Sequence, residues 1–173
     1  MTGTAAGRTP GFIKPDTNKQ IFFYEQDFYV LSNFSAFRVI WRGKDFDTSE
    51  HAYHWSKFDG EASHHPEIQR EIIGARSAHD AFKIAEKYKA SRITGWDQIK
   101  TTVMFNILCA KAQQHEYVRR KLLATGDREL IEDSWRDDFW GWGPNRDGQN
   151  MLGKTWMEVR AAYALAAAKT GSA

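Results

Sequence analysis

An acid and an amine stand at helical spacing in the segment Thr48-Ser-Glu-His-Ala-Tyr-His-Trp-Ser-Lys57. Glu50 and Lys57 are seven residues apart, about two helical turns, so both side chains leave the same helix face. A carboxyl group and an amine in one place can divide general acid–base and nucleophilic roles between them. The alternative is a solvated amphipathic helix, but the aromatic residues of the segment favour burial of most of its surface.

A second candidate is the loop that leads from Asp137 to Asn150, which is rich in tryptophan and glycine. Its glycines allow close approach of the backbone to a ligand, and the amides at the start of the following helix favour anions such as phosphate. Its tryptophans offer flat surfaces to a base or a sugar, or alternatively pack into the core. The loop fits neither a dinucleotide-binding glycine motif nor a calcium-binding loop. The residues concerned are Trp140, Gly141, Trp142, Gly143 and Gly148.

The six histidines and the single cysteine do not form a recognisable metal site. The segment His115-Glu-Tyr-Val-Arg119 lacks the second histidine of the zinc-protease motif. His51 and His54 have no obvious third ligand, and one cysteine, Cys109, excludes a zinc site built on cysteines. We therefore predict an enzyme that uses neither a metal ion nor a cofactor.

The elements that position these residues are predicted to form a mainly helical α+β domain with a small, mainly antiparallel sheet. Capping residues and apolar periodicity indicate six helices, with Thr48 capping the first and Asn150 capping the last. A turn at Arg42-Gly43 indicates a β-hairpin, because glycine tolerates the positive φ of a tight turn. We predict one domain over residues 20–168, preceded by a flexible N-terminal arm over residues 1–19.

Composition excludes several classes of protein. The length of 173 residues suits a single domain, and 42% apolar residues are enough for a core. The 24 basic and 22 acidic residues give a net charge of +2, too balanced for binding nucleic acid or membranes by bulk electrostatics. No run approaches the ~20 apolar residues of a membrane span. We expect a cytoplasmic protein, with a nuclear location as the alternative, that has no membrane contact and no obligate protein partner.

Several short segments occur in the order that is typical of one family. On this ordered set, which spans residues 20–163, the chain resembles the NADAR (YbiA-like) family. The segments are Leu31-Ser-Asn-Phe34, Thr48-Ser-Glu-His51 with Lys57-Phe58, Trp96 with Lys100 and Met104, Leu122-Leu-Ala-Thr-Gly126, Asp137 with Trp140-Gly141, and Gly148-x-Asn150-x-Leu152-Gly153 running to Arg160.

The resemblance implies an N-glycosidase, a hydrolase that cleaves the bond between ribose C1 and an amino nitrogen of a base. One branch of the family acts on ribosylamino-pyrimidinone phosphates of the riboflavin pathway. Another removes ADP-ribose from guanine in nucleic acid, which reverses ADP-ribosylation and serves DNA repair. The implied partner is ADP-ribose or another ribosyl phosphate, with ADP-ribosylated guanine in DNA, RNA or a free nucleotide.

The resemblance also implies roles for the matched residues. Glu50 is the expected acid or base, and Lys57 is the amine that attacks C1 in its neutral form. Asp137 is the third expected catalytic residue, in contact with a ribose hydroxyl or the base. Burial would lower the pKa of Lys57 and a charged Glu50 would raise it, so the direction stays open at this point. The implied substrate-binding residues are Asn33, Phe34, Trp96, Trp140, Gly141, Trp142, Gly143, Gly148 and Asn150.

Two departures from the riboflavin branch favour ADP-ribose as the group removed. The chain carries Ala85-Glu86 where that branch carries Gly-Arg, an arginine suited to a terminal monophosphate. Trp142 stands where that branch carries a short acidic residue, and its ring would stack on an adenine. A riboflavin-type glycosidase remains the alternative. A non-catalytic ADP-ribose-binding module is a further one, disfavoured because a binding module need not keep an acid and an amine together.

Overall fold

The computed structural model describes residues 16–24, 27–60 and 65–170. The predicted N-terminal arm, residues 1–19, therefore lies almost wholly outside the described residues. Just before the first strand, the Asp16 carboxylate accepts a hydrogen bond of 2.8 Å from the backbone N–H of Phe22. This part of the predicted arm is thus attached to the domain.

Six α-helices make up about half of the described residues, and the first and third begin directly after a capping residue. Thr48 caps the first helix and Ser77 the third, each accepting a backbone N–H of its helix's first turn. None of the helices in the described ranges has the length and apolar character needed to cross a membrane. Their bounds are α1 Ser49–Ser56, α2 Pro66–Ile73, α3 Ala78–Lys87, α4 Trp96–Gln114, α5 Glu116–Ala124 and α6 Met151–Thr170.

The strands of the described residues form two pairs, one antiparallel and one parallel. β2 (Val39–Trp41) and β3 (Lys44–Phe46) form the predicted antiparallel hairpin, whose turn has positive φ at Arg42 and Gly43. β1 (Gln20–Phe23) and β4 (Glu129–Glu132) pair in parallel, which differs from the mainly antiparallel sheet expected. Parallel strands need a long crossover, and α1 to α5 supply it. The mainly helical α+β single domain is confirmed.

The core lies between the β1–β4 pair and helices α1, α4 and α6. Trp156 of α6 is fully buried there, and its Nε1 donates a hydrogen bond of 2.7 Å to the backbone oxygen of Leu31. Ile21 and Phe23 of β1 pack into the same cluster as Met104 and Ile107 of α4. The residues just after Leu31, which carry a predicted part of the site, are thereby tied to α6.

A buried lysine fixes the same loop from the side of α4. Lys111 is fully buried, and its Nζ donates to the backbone oxygen of Ser32 at 3.0 Å and to Ser35 Oγ at 2.8 Å. Burial lowers the pKa of Lys111 to about 7, because the apolar surroundings disfavour the charged form. The amine bridges both ends of the turn that contains Asn33 and Phe34.

The start of α6 touches the backbone of β4 directly. The Oδ1 of Asn150 accepts the N–H of Glu132 at 3.0 Å, and its Nδ2 donates to the oxygen of Leu130 at 2.9 Å. The side chain predicted to cap the helix is therefore bound to the strand instead. At Gly153, a Cβ atom would lie only 2.0 Å from the backbone oxygen of Leu130. Only glycine permits this approach.

Replacing Gly153 with alanine should therefore destabilise the protein strongly. The added methyl group overlaps a buried backbone oxygen, and we expect a loss of about 3 kcal/mol in the free energy of unfolding. Urea denaturation measures the change. Gly74→Ala is the matched control, because its Cβ would meet nothing closer than 3.4 Å. Equal stabilities of the two variants would contradict the close contact between α6 and β4.

The lowered pKa of Lys111 leads to a second prediction, which concerns the pH dependence of stability. The pKa of Lys111 is about 7 in the folded chain and ~10.4 when unfolded, so the unfolded state binds more protons between these values. Stability should therefore rise with pH across that range. Lys111→Met should flatten this rise in urea denaturation, whereas Lys154→Met, at an exposed site, should not. Identical slopes in the wild type and Lys111→Met would contradict the shifted pKa.

Candidate active site

A cavity of about 570 Å³ opens among α1, α3, α4, the turn after Leu31 and the segment that follows β4. This volume falls within the ~300–1,000 Å³ of typical ligand pockets. Seven of the twelve predicted site residues line it, although they come from four separate parts of the chain. They are Asn33, Phe34, Glu50, Lys57, Trp96, Asp137 and Trp140.

Glu50 is held at the cavity wall by two contacts. Its backbone N–H donates to the oxygen of Asn33 at 3.1 Å, and its Oε1 lies 2.7 Å from Nε2 of His54, one turn along α1. Burial lowers the pKa of His54, although Glu50 opposes this shift. A neutral imidazole satisfies the short contact by donating its Nε2–H to the carboxylate. One oxygen of Glu50 is thus fixed in position by a neighbour that stays neutral.

Lys57 lies at the C-terminal end of α1 with only 5% of its surface exposed. Burial is the largest effect on it and lowers its pKa to about 8, with Arg92 acting in the same direction and Glu50 in the opposite one. Burial therefore outweighs the nearby carboxylate. At about pH 7 such an amine is neutral in roughly one molecule in ten, against roughly one in 2,500 for an ordinary lysine.

Three aromatic side chains form a wall beside these two groups. The ring centroid of Tyr53 lies 5.3 Å from that of Trp96 and 5.4 Å from that of Trp140, the latter in an edge-to-face arrangement. Nζ of Lys57 is 5.0 Å from the centroid of Tyr53. Burial, with a contribution from Glu50, raises the pKa of Tyr53, so its hydroxyl stays protonated. The wall offers flat apolar surface for a planar ring.

Asp137 lines the cavity and also organises the loop that carries Trp140. Its Oδ1 accepts the backbone N–H of Phe139 at 2.8 Å and that of Trp140 at 2.7 Å. Such a turn, closed by an aspartate side chain, fixes the backbone of the two following residues. Asp137 thus positions an aromatic wall residue as well as contributing a carboxylate to the cavity.

The other five predicted residues do not line the cavity. Nε1 of Trp142 donates to Asp133 at 2.8 Å and its ring lies 5.3 Å from that of Phe22, so it packs against β1 instead of offering a face for adenine. Asn150 is bound to β4. A Cβ at any of the loop glycines would lie within 3 Å of Ser134 or Asp138, so they permit the loop to pack on itself. These glycines are Gly141, Gly143 and Gly148.

The cavity also contains charged residues that the sequence analysis missed as site residues. Arg92 forms an ion pair with Glu86, and both line the cavity beside Lys100. Glu132, the last residue of β4, lines it too, and burial together with Asp137 raises its pKa to about 8. Only its place at the end of an apolar strand distinguishes Glu132 in the sequence. Within the described residues, no group of three or more potential ligand side chains is arranged to hold a metal ion.

A carboxylate, a buried amine and aromatic walls around one cavity define an enzyme-type site for acid–base and nucleophilic chemistry. Comparison with known proteins then gives the family. The model of the NADAR domain matches residues 22–163, which is most of the sequence. The chain belongs to the NADAR domain family, as the resemblance in its motifs predicted.

Several relatives with known names share the whole domain. N-glycosidase YbiA of Escherichia coli is 33% identical over 156 residues, which cover 88% of this chain and 92% of the relative. An N-glycosidase of Nostoc punctiforme is 36% identical, covering 81% of this chain and 90% of the relative. A riboflavin biosynthesis protein of Vibrio vulnificus is also 36% identical, but the match covers only 37% of its length.

The fold agrees with a solved structure. The NMR structure of Escherichia coli YbiA superposes with a TM-score of 0.75 at 31% identity, covering 93% of this chain and 94% of the other. Together with the names of the relatives, this agreement supports a glycosidase as the class of enzyme.

Proposed function

We propose that the chain hydrolyses the bond between ribose C1 and an amino nitrogen of a base. The observation that carries this proposal is the presence of Glu50 and Lys57 in one cavity, with the Glu50 carboxylate bonded to His54 and the Lys57 amine at a pKa of about 8. The relatives named N-glycosidases support the same reaction class.

The proposed reaction begins with the neutral amine of Lys57. It attacks C1 and loses a proton to Glu50, while the amino group of the base leaves with the electron pair of the broken bond. The ribose ring then opens to an imine on Lys57, which water hydrolyses. Trp96 and Trp140 flank the planar base, and the buried Oδ1 of Asn33, unpaired among the described residues, accepts a hydrogen bond from the substrate.

We further propose that the substrate is ADP-ribosylated guanine, in DNA, RNA or a free nucleotide. Support comes from Glu86, which lines the cavity and pairs with Arg92 at the place where the riboflavin branch carries an arginine. A carboxylate there disfavours a terminal monophosphate dianion. Stacking of adenine on Trp142 is not part of the proposal, since that ring lies outside the cavity.

The second candidate is hydrolysis of a ribosylamino-pyrimidinone phosphate. The name of the Vibrio vulnificus relative favours it, and so does the cationic Lys100, which lines the cavity near Lys57. Both substrates join a ribose to an amino group on a pyrimidinone-type ring, so the same acid and amine serve either one. The two candidates differ in the base and in what is attached to the far end of the ribose.

Incubation of the wild-type protein with each substrate tests the proposal. We expect release of ADP-ribose from guanine-modified DNA, RNA or nucleotide at a higher kcat/KM than release of ribose 5-phosphate from the pyrimidinone substrate. We also propose that no metal ion takes part, so activity should survive dialysis against EDTA. Faster release of ribose 5-phosphate supports the second candidate. Binding of ADP-ribose without turnover of any substrate indicates a non-catalytic module.

Glu50→Gln should nearly abolish turnover and leave the fold intact. The amide keeps the shape of the side chain but cannot accept the proton of the amine, and loss of an acid–base group costs ~10²–10⁴-fold in rate. Glu158→Gln, at an exposed position of α6, is the matched control and should remain fully active. A Glu50→Gln variant with a rate near that of the wild type would disprove the role of Glu50.

Borohydride should trap the imine on Lys57 during turnover. A covalent adduct on the wild-type protein, located by mass spectrometry of its peptides, is the expected result. Lys57→Arg should lose both trapping and activity, because a guanidinium group stays protonated, whereas Lys154→Arg at an exposed site should lose neither. If the wild type turns over without trapping and Lys57→Arg stays active, Glu50 activates water directly and Lys57 only contacts the substrate.

A further inference from the structure

Glu132 is a third glutamate of the cavity, beside Glu50 and Glu86. It is the last residue of β4, and its backbone is held on both sides. Its N–H donates to Oδ1 of Asn150 at 3.0 Å, and its oxygen accepts the N–H of Trp142 at 3.3 Å. Asn150 and Trp142, which lie outside the cavity, therefore fix the position of Glu132 inside it.

Among the described residues, the charged groups that act on Glu132 are acidic, although Lys57, Arg92, Lys100 and Arg136 line the same cavity. The charged groups that act on it are Asp137, in the loop after β4, and Glu50 on α1. Its pairing strand β1 carries no titratable side chain, but Tyr24, directly after β1, lines the cavity; among the described residues of α6, only the apolar Leu152 does so. Burial and these two carboxylates raise the pKa of Glu132 to about 8, so it carries a proton at neutral pH.

The proposed reaction needs an acid that Glu50 cannot supply in the same step. Glu50 receives the proton that the attacking amine loses, so it has none to give to the departing base at that moment. An amino group that leaves a carbon without a proton departs as an unstable anion. A separate proton donor at the leaving nitrogen avoids this anion. Of two carboxyl groups in different protonation states, the ionised one can act as the base and the protonated one as the acid.

We propose that Glu132 is the catalytic acid that protonates the leaving amino nitrogen, an inference that rests on the proposed N-glycosidase function. As the C1–N bond breaks, its electron pair stays on the nitrogen, which takes the proton of Glu132 and departs as a neutral amine. The amine of Lys57 supplies the electron pair of the new bond to C1 and passes its proton to Glu50. After water has hydrolysed the imine, the proton on Glu50 returns through water to Glu132.

The test is the pH profile of kcat/KM for the wild type, Glu132→Gln and Glu129→Gln. Glu129 is the other glutamate of β4 but is exposed and bonded to Gln20, so its variant is the matched control. In the wild type and the control, activity should rise as Lys57 deprotonates and fall above about pH 8 as Glu132 ionises. Glu132→Gln should lose ~10²–10⁴-fold, and its remaining activity should not fall above that pH.

A direct titration accompanies the kinetics. Carbon-13 NMR of labelled glutamate carboxyl groups, with Glu132→Gln to assign the signal, should show Glu132 titrating well above an ordinary glutamate. A signal that titrates near ~4.3, the ordinary value, overturns the inference whatever the activity. So does an active wild type whose fall at high pH persists in Glu132→Gln. A wild type that turns over no substrate overturns the proposed function itself, and the acid role with it.

Discussion

Two hydrogen bonds from the side chain of Asn150 hold the functional part of this fold together. β4 pairs with β1 along one edge, and Asn150 binds the N–H of Glu132 and the oxygen of Leu130 on the other. An amide side chain thus replaces a neighbouring strand and satisfies backbone groups that would otherwise be costly to bury. Asn150 takes a positive φ of 51° to do so, a conformation that asparagine tolerates better than most residues. The start of α6 and the end of β4 are fixed relative to each other as a result.

Two charged groups of the cavity and one of the core lie in surroundings that disfavour their charges. Burial moves the pKa values of Lys57 and Glu132, in the cavity, and of Lys111, in the core, toward their neutral forms. Such burial costs stability, which the rest of the structure offsets through its large apolar core, including Trp156 and Phe23. Sites that do chemistry commonly carry this cost, because the same burial that destabilises an ion provides a neutral amine or a protonated acid at neutral pH.

Local features of the fold were predictable from the sequence, whereas the partners of each segment were not. Capping by Thr48 and the hairpin turn at Gly43 are decided within a few residues, and both were predicted. The parallel partner of β1 and the raised pKa of Glu132 arise from segments far apart in the chain, so no local pattern reveals them. The glycine loop shows the same limit. Glycine spacing indicates that something approaches the backbone closely, but not whether it is a ligand or, as at Gly148, the chain itself.

The parallel pairing of β1 with β4 also sets the order in which the site can form. Gln20 and Glu129 are 109 residues apart, and contacts between distant segments are the slowest to form because a long loop must close first. The contact of Glu50 with His54 spans a single helical turn and forms as soon as α1 does. Glu132 acquires its buried surroundings only when the last strand docks. The contact of Glu50 with His54 therefore does not depend on the strand pairing, whereas the raised pKa of Glu132 does, and only the native state has both.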